Sequence, residues 1–300
     1  MKLEEDFKNK ILSTFDEEGI IWLNNIDQII DKYTKKLGLE NIKIRKQLSI
    51  NILLDAYSKQ FGDVIIKILS PGIISLNEIK YVNELNLKKI VKCYYYNLDD
   101  RIMILEKINP GYCLSKLKNI DDRIKIFKDI LTDICDNTAD FIDQFPQLET
   151  KLYDSVQHNN KYEQVISNLL DIAKDMYKQI KKYNYPKYVL HNDLHHKNIL
   201  KSKEGWKIID PHGVVGEKIF DTAQFIKEEL KLQENDVSTL DSIINKMSET
   251  INEEKKLIYM ALFIQNTTKL LYYLKANYDE KTIDNNINLC NFILERLKIL

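Results

Sequence analysis

Glycine and proline are scarce, 8 and 5 in 300 residues, so few loops and long helices are expected. The four cysteines, Cys93, Cys113, Cys135 and Cys290, are far apart and form no C-x-x-C pair. They read as reduced, mostly buried thiols of a cytosolic protein. Neither charge sign dominates. Lys plus Arg is 44 and Asp plus Glu is 45, which argues against a nucleic-acid binder working through an overall basic surface. The longest apolar run, Leu257 to Ile264, has eight residues, against the roughly 18 a membrane span needs. The N-terminus, Met1 to Asp6, is acidic and lacks a signal peptide's apolar stretch.

What is present is a folded chain, 44% hydrophobic and 30% charged. Its length is more than one compact core usually holds, so two lobes are expected. Phe7, Ile11, Leu12 and Phe15, then Ile26, Ile29, Ile30 and Tyr33, recur at helical spacing before Gly38. Between about residues 42 and 69 the pattern becomes two short apolar runs about a turn at 59–63, a hairpin. Pro71-Gly72 breaks the chain, and a helix is expected from Ser75, with Glu78 three residues on completing a capping box. Strands are expected over 90–96 and 102–108. The lobe boundary is placed there, giving lobes 1–108 and 109–300. Beyond it the chain reads as helical, interrupted only by a hairpin within 188–210.

The densest polar constellation is His191-Asn192-Asp193-Leu194-His195-His196-Lys197-Asn198, followed by Ile208-Ile209-Asp210. Apolar runs lead into both parts, so these groups sit at the ends of buried strands, where a cleft side chain is held by a rigid frame. H-x-D-x-x-x-x-N with a later Asp suits phosphoryl transfer from ATP. Asp193 would orient an acceptor hydroxyl and take its proton, and Asn198 and Asp210 would hold Mg²⁺ against phosphate oxygens. A zinc site and a plain polar turn compete with that chemistry. The three histidines could ligate zinc, although no H-E-x-x-H or C-x-x-C accompanies them. Or the segment is a polar turn that caps its own backbone.

The N-terminal half supplies matching groups. Lys67 lies among isoleucines in an expected strand, a poor place for a merely solvated lysine. In an ATP site such a lysine reaches the α- and β-phosphates and is held by a helix glutamate. Glu78 is the candidate, its competing role being the capping box, and Glu84 is the reserve.

His191 to Asn198, with Gly205-Trp206-Lys207-Ile208-Ile209-Asp210-Pro211-His212-Gly213-Val214-Val215-Gly216-Glu217 and Phe220-Asp221-Thr222-Ala223, resembles the aminoglycoside phosphotransferases. Within them it is most similar to the streptomycin 6-kinase and hydroxyurea-resistance kinase branch. The likeness runs from about residue 50 to about 230. It implies an α+β, two-lobed protein-kinase-like fold, with a small antiparallel-sheet N-lobe and a larger, mainly helical C-lobe. It implies Asp193 as catalytic base, Asn198 and Asp210 as Mg²⁺ ligands, Lys67 on the phosphates and Glu78 positioning that lysine. It further implies Glu106 to Ile108 as backbone partners of the nucleobase, Asp221 as brace of the catalytic loop, and His191 as its support.

Two departures stand out. The loop expected over the phosphates contains no glycine, so Ser49 or Asn51 would have to serve. His212 replaces the lysine of the D-P-K-G version. Protein kinases fit less well, because His-Asn-Asp and Asp-Pro-His replace His-Arg-Asp and Asp-Phe-Gly. Only ten residues separate Asp210 from Asp221, too few for a long activation segment.

The expectation is therefore a cytoplasmic kinase that uses ATP or GTP with Mg²⁺ to phosphorylate a small hydroxyl-bearing acceptor, with no nucleic-acid or membrane partner. An aminoglycoside such as streptomycin is the leading acceptor, which calls for an acidic pocket. Glu217, Glu228 and Glu229, with His212, are its candidates, although solvated helix positions also account for the pair at 228 and 229. Tyr272 and Tyr273 could line a pocket or belong to the core. The rivals are a kinase of a sugar, amino alcohol or nucleoside-like metabolite, and a nucleotide-binding protein without transferase activity.

Overall fold

The computed structural model describes residues 3–46, 48–149, 161–234, 236–275 and 278–300, so Met1 and Lys2 lie outside it. The chain opens with α1 (Glu5–Leu37), β1 (Leu39–Ile44), β2 (Ile52–Ser58), β3 (Gly62–Ile68) and α2 (Ile73–Glu84). It continues through β4 (Cys93–Asn97), β5 (Ile102–Glu106), β6 (Pro110–Cys113), α3 (Ile120–Thr138) and α4 (Glu163–Lys182). Next come β7 (Tyr188–Leu190), β8 (Ile199–Ser202), β9 (Gly205–Ile208) and β10 (Val214–Gly216). The last helices are α5 (Ile219–Leu232), α6 (Leu240–Ile251), α7 (Lys255–Lys275) and α8 (Glu280–Ile299). Contacts divide these into two compact units, Met1–Tyr112 with Leu200–His212, and Cys113–Ile199 with Gly213–Leu300. Residues 200–212, placed in the second lobe from the sequence, thus group with the first unit.

The first unit is a five-stranded antiparallel sheet, ordered β1-β2-β3-β5-β4, with a helix on each face. Strand alternation decides which residue meets which helix. Val64, Ile66 and Ile68 of β3 pack with Ile11, Trp22, Ile26 and Tyr33 of α1. Ile65 and Leu69 pack with Ile79 and Val82 of α2. Lys67 shares the second phase, which aims it at α2.

The two helical stretches read before Gly38 are the arms of α1, which turns at Asp16 (φ 45°, ψ −124°). A Cβ on Gly19 would stand 2.9 Å from the Ile11 carbonyl oxygen, so only glycine lets the arms close this far. Gly38, at φ 58°, ends the helix and donates its N–H to the Thr34 carbonyl. Strand β1 was not expected from the sequence. Its short Ile42-x-Ile44 alternation is partly exposed and gives little signal.

Helix α2 begins two residues before the expected start, with Gly72 as N-cap and no side-chain cap. The capping box is therefore not formed. The Ser75 hydroxyl donates instead to the Ser70 carbonyl at 2.6 Å, which leaves Glu78 for another partner. The strand expected from residue 90 starts at Cys93, because the preceding residues are drawn to β9. Val91 N–H donates to Ile208 O at 3.0 Å and Ile208 N–H to Lys89 O at 2.7 Å. These bonds fix the end of the β8–β9 hairpin, and with it Asp210.

The second unit is helical around α7, which packs on α4, α5 and α8. That central place explains the eight-residue apolar run, since Leu257 to Ile264 are all buried. Among the described residues no helix is long and apolar enough to cross a membrane. Strand β7 pairs with β10, Leu190 opposite Val214 and Tyr188 opposite Gly216, so the chain emerges at His191 from a buried ladder.

Candidate active site

The site residues fall into two groups, one in each unit. In the first, Lys67 is 1% exposed and its ammonium reaches Glu78 Oε1 at 2.5 Å and Asp210 Oδ1 at 2.7 Å. Burial alone would lower the Lys67 pKa, but the Asp210 and Glu78 carboxylates together hold it above the ordinary lysine value. Burial pushes Glu78 up to about 7, with Lys67 opposing and the Asp210 charge adding. Asp210 has φ 60°, in the left-handed region uncommon outside glycine, and its side chain is 43% exposed. Glu84, the reserve for Glu78, is exposed at the end of α2.

The segment expected to meet the nucleobase, Glu106 to Ile108, lies in the same unit. Glu106 N–H donates to Lys92 O at 2.9 Å, and Lys107 N–H donates to Asp63 O at 3.3 Å. The Glu106 carboxylate accepts from Lys92 N–H at 2.7 Å and pairs with Lys207. The Glu106 N–H is therefore committed to the sheet, and Ile108 lies just beyond it. Of the glycine-free loop, Ser49 is exposed, while Asn51 Oδ1 accepts from Ser70 N–H at 2.9 Å, which gives Asn51 a structural role. His212 is half-buried two residues after Asp210.

In the second unit the loop after β7 is held from below by α5. Asp221 is fully buried, and its carboxylate accepts from His191 N–H at 2.9 Å and Asn192 N–H at 2.7 Å. Burial raises Asp221 to about 7, with the two backbone donors opposing and the Asp193 charge adding. The loop turns sharply enough to put Asn192 at φ 60°, a conformation asparagine tolerates. His191, also fully buried, accepts from Asp193 N–H through Nδ1 at 3.3 Å.

Asp193 has a side chain 27% exposed. Its Oδ1 accepts from Gln224 Nε2 at 3.0 Å, and its Oδ2 lies 3.4 Å from His195 Nε2. Asn198 is buried, and its Nδ2 donates to the Asp193 carbonyl at 3.0 Å. That bond commits the amide nitrogen and leaves Oδ1 as the atom for a cation, which fits the hard oxygen donors Mg²⁺ takes.

The three histidines take separate tasks. His195 stands by Asp193, His191 supports the loop, and His196 stacks on Phe225 while its Nε2 meets Glu229 Oε1 at 2.6 Å. Among the described residues no group of three or more His, Cys, Asp or Glu is arranged for a metal.

The acceptor candidates separate. Glu228 is half-buried, paired with Lys231 and within the field of His195, so it lies on the Asp193 side. Glu217 does not. It follows Gly216, which pairs with the first residue of β7, whereas Asp193 lies beyond the last. Glu229 is no solvated helix position. It is 0% exposed and forms a two-pronged bond to Arg123, at 2.7 Å from Nε and 2.6 Å from Nη2. Tyr272, Tyr273 and Tyr278 cluster, with Tyr273 buried and the other two exposed.

Sequence reasoning missed Gln224, Arg123 and the Glu229 anchor. Gln224 had a signal, since it sits one turn after Asp221 on the same helix face. Arg123 had none, because it lies 106 residues from Glu229.

Known proteins bear on these groups. The model of the aminoglycoside/hydroxyurea antibiotic resistance kinase family matches residues 65–266. The chain is 57% identical over 35 residues to streptomycin 3''-kinase of Klebsiella pneumoniae, a match spanning 11% of this chain and 13% of that protein. Among solved structures it is similar to choline kinase LicA from Streptococcus pneumoniae, at TM-score 0.63 and 17% identity, covering 92% of this chain and 100% of that one. It is also similar to aminoglycoside phosphotransferase APH(4)-Ia, solved as a thermostable mutant with ADP and hygromycin B. There the TM-score is 0.60 and identity 10%, over 88% of this chain and 97% of the other. The fold is thus protein-kinase-like, with a small antiparallel sheet and a mainly helical remainder.

Proposed function

Because the chain belongs to the aminoglycoside/hydroxyurea antibiotic resistance kinase family, we propose that it transfers the γ-phosphate of ATP to a hydroxyl of a small molecule. The observation that carries this reading is the buried Lys67, fixed by both Glu78 and Asp210. A lysine so held has no structural need for two carboxylates, whereas a polyphosphate needs a fixed cation.

Asp193 orients the acceptor hydroxyl and takes its proton, steadied by Gln224 through one carboxylate oxygen. Asp221 and His191 hold the loop so that Asp193 does not wander. Lys67 neutralises charge on the α- and β-phosphates. Asp210 and Asn198 would hold Mg²⁺ through their side-chain oxygens, and the ion would supply charge neutralisation at the phosphates. The Ile108 N–H and the Glu106 carbonyl take the nucleobase, since the Glu106 N–H is bound to Lys92. Ser49, exposed before β2, serves the phosphate loop.

The first acceptor to try is streptomycin, because the 35-residue match is to a kinase of that antibiotic. A metabolite alcohol is the second, because the choline kinase fold spans almost the whole chain. The experiment measures Mg²⁺-dependent ADP formation with ATP and GTP across both classes, for wild type and Asp193→Ala. Turnover should fall by about 10²–10⁴ in the variant, with nucleotide affinity kept. Equal loss of binding and turnover would make Asp193 a structural residue and remove the proposed base.

A further inference from the structure

His195 carries one nitrogen more than its structural task needs. It precedes a short 3₁₀ turn, His196–Asn198, and its Nδ1 caps that turn by accepting from Lys197 N–H at 3.2 Å. An asparagine or serine oxygen would cap the turn equally well, so the cap alone does not call for an imidazole. Because Nδ1 accepts, the ring proton lies on Nε2. That nitrogen stands 3.4 Å from Asp193 Oδ2, with the His195 side chain 20% exposed.

The loop fixes the two groups in this relation. His195 N–H donates to the Asp193 carbonyl at 2.8 Å, and Asn198 N–H donates to the His195 carbonyl at 2.9 Å. The Asp193 carboxylate is steadied by Gln224 Nε2 at Oδ1, 3.0 Å away, and by Asn198 Nδ2 at Oδ2, 3.3 Å away. A carboxylate offers about four lone-pair positions, more than these donors take. A separation of 3.4 Å is too long for a good bond between His195 and Asp193 themselves. It suits two partners side by side, a hydroxyl that donates to Asp193 and a neighbouring oxygen that accepts from His195. The oxygens on adjacent carbons of a ring, when gauche, are about one hydrogen-bond length apart. The four atoms then close a quadrangle with every side near that length.

We propose that His195 is an acceptor-binding residue whose Nε2–H takes the oxygen next to the reacting hydroxyl, so that the substrate is a vicinal diol of a sugar or cyclitol ring. Resting on the kinase reading, this role narrows the acceptor. Streptomycin carries such neighbouring hydroxyls. An amino alcohol of the choline type does not, because a quaternary or protonated nitrogen has no lone pair for the Nε2–H.

Two substitutions test the assignment. His195→Asn keeps an oxygen for Lys197 N–H and removes the far nitrogen, whereas His195→Gln returns an amide N–H near the place of Nε2. Mg²⁺-dependent ADP formation from ATP is measured for both variants and wild type with streptomycin, myo-inositol, trans-1,2-cyclohexanediol, cyclohexanol and choline. Calorimetry with Mg²⁺ and the non-hydrolysable analogue AMPPNP follows binding of the same compounds, and urea unfolding follows the fold. At least one of the three compounds with adjacent hydroxyls should turn over, and faster than cyclohexanol or choline. Its kcat/KM should fall about tenfold in His195→Asn and recover in part in His195→Gln. The KM for ATP and the unfolding midpoint should stay where they are.

Choline or cyclohexanol turned over as well as the diols, or His195→Asn kinetics equal to wild type, overturns the proposal. So does a KM for ATP that rises as the rate falls, which would place His195 on the phosphate side. A lower unfolding midpoint in His195→Asn with no recovery of rate in His195→Gln overturns it too, and leaves only the cap. Binding keeps the two readings apart. Diol binding that weakens in His195→Asn without any turnover removes the kinase and keeps the subsite. Turnover of choline alone does the reverse, and diols that neither bind nor turn over remove the subsite as well.

Discussion

The group around Lys67 and the group around Asp193 solve opposite problems. Lys67, proposed to meet the phosphates, is sealed, 1% exposed, against Glu78 and Asp210. Asp193, the proposed base, has a side chain 27% exposed, and neighbouring residues provide the rigidity. Asp221 carries two backbone N–H groups of the loop, and Glu229, itself held by the Arg123 fork, meets His196 Nε2 directly. Rigidity in the first group comes from the reactive charge itself. In the second it comes from residues one step removed. Substitutions should therefore divide differently between stability and turnover in the two groups.

The largest expected effect breaks the second group from beneath. Glu229→Ala leaves the Arg123 guanidinium, 3% exposed, without its carboxylate. Removing one partner of a buried pair costs about 3–5 kcal/mol. Urea unfolding should show that loss, with turnover falling only as the folded fraction falls. A variant of normal stability and no activity would mean that Glu229 acts on substrate.

Lys67→Met should do the reverse. Turnover falls by about 10²–10³ through lost phosphate stabilisation. Stability changes less than in Glu229→Ala, because Glu78 can take a proton near pH 7 and Asp210 is 43% exposed. Steady-state kinetics beside the same unfolding assay checks both halves of the statement. An unfolding loss as large as that of Glu229→Ala would erase the contrast between the groups.

The sequence exposed the first group almost completely and the second only at its chemical tip. Lys67 in a β-run, with Glu78 in the next helix, is a local pattern, and strand phase delivers the meeting. The capping box misled because Ser75 followed by Glu78 has the right spacing, while Gly72 started the helix two residues earlier. Asp193, Asn198 and Asp210 stood out through spacing, and Asp221 only through the family resemblance. Arg123 did not, since it matters through a contact between helices 106 residues apart in sequence. The β7–β10 pairing was hidden for a similar reason. Three-residue strands around a polar loop carry too little alternation to announce a partner. Glu229 looked like a solvated helix residue beside Glu228, and only the angular step between them sends one inward.

Both groups hold a buried carboxyl raised to about 7, Glu78 and Asp221. For a raised carboxyl the folded chain binds the proton more tightly than the unfolded chain. Its stabilising share is full below the ordinary carboxyl range and is lost as pH rises through about 7. The unfolding midpoint of the nucleotide-free protein should therefore fall between pH 5 and 8, and Glu78→Gln should flatten the first group's contribution to that slope. A wild-type midpoint constant across the range would mean that neither carboxyl holds a proton there.

The smallest effect sharpens the contrast at the base itself. Gln224 is 6% exposed and gives Asp193 Oδ1 a bond of 3.0 Å. It orients the carboxylate without holding the loop, which belongs to Asp221. Gln224→Leu, close in volume, removes the donor and keeps the packing. One bond to a charged group is worth about 1.5–3 kcal/mol, and only the part lost in the transition state reaches the rate. We expect kcat to fall about tenfold, with the KM for nucleotide and the unfolding midpoint unchanged. If all three move together, Gln224 is part of the frame, and the separation of base from scaffold in the second group fails at that residue.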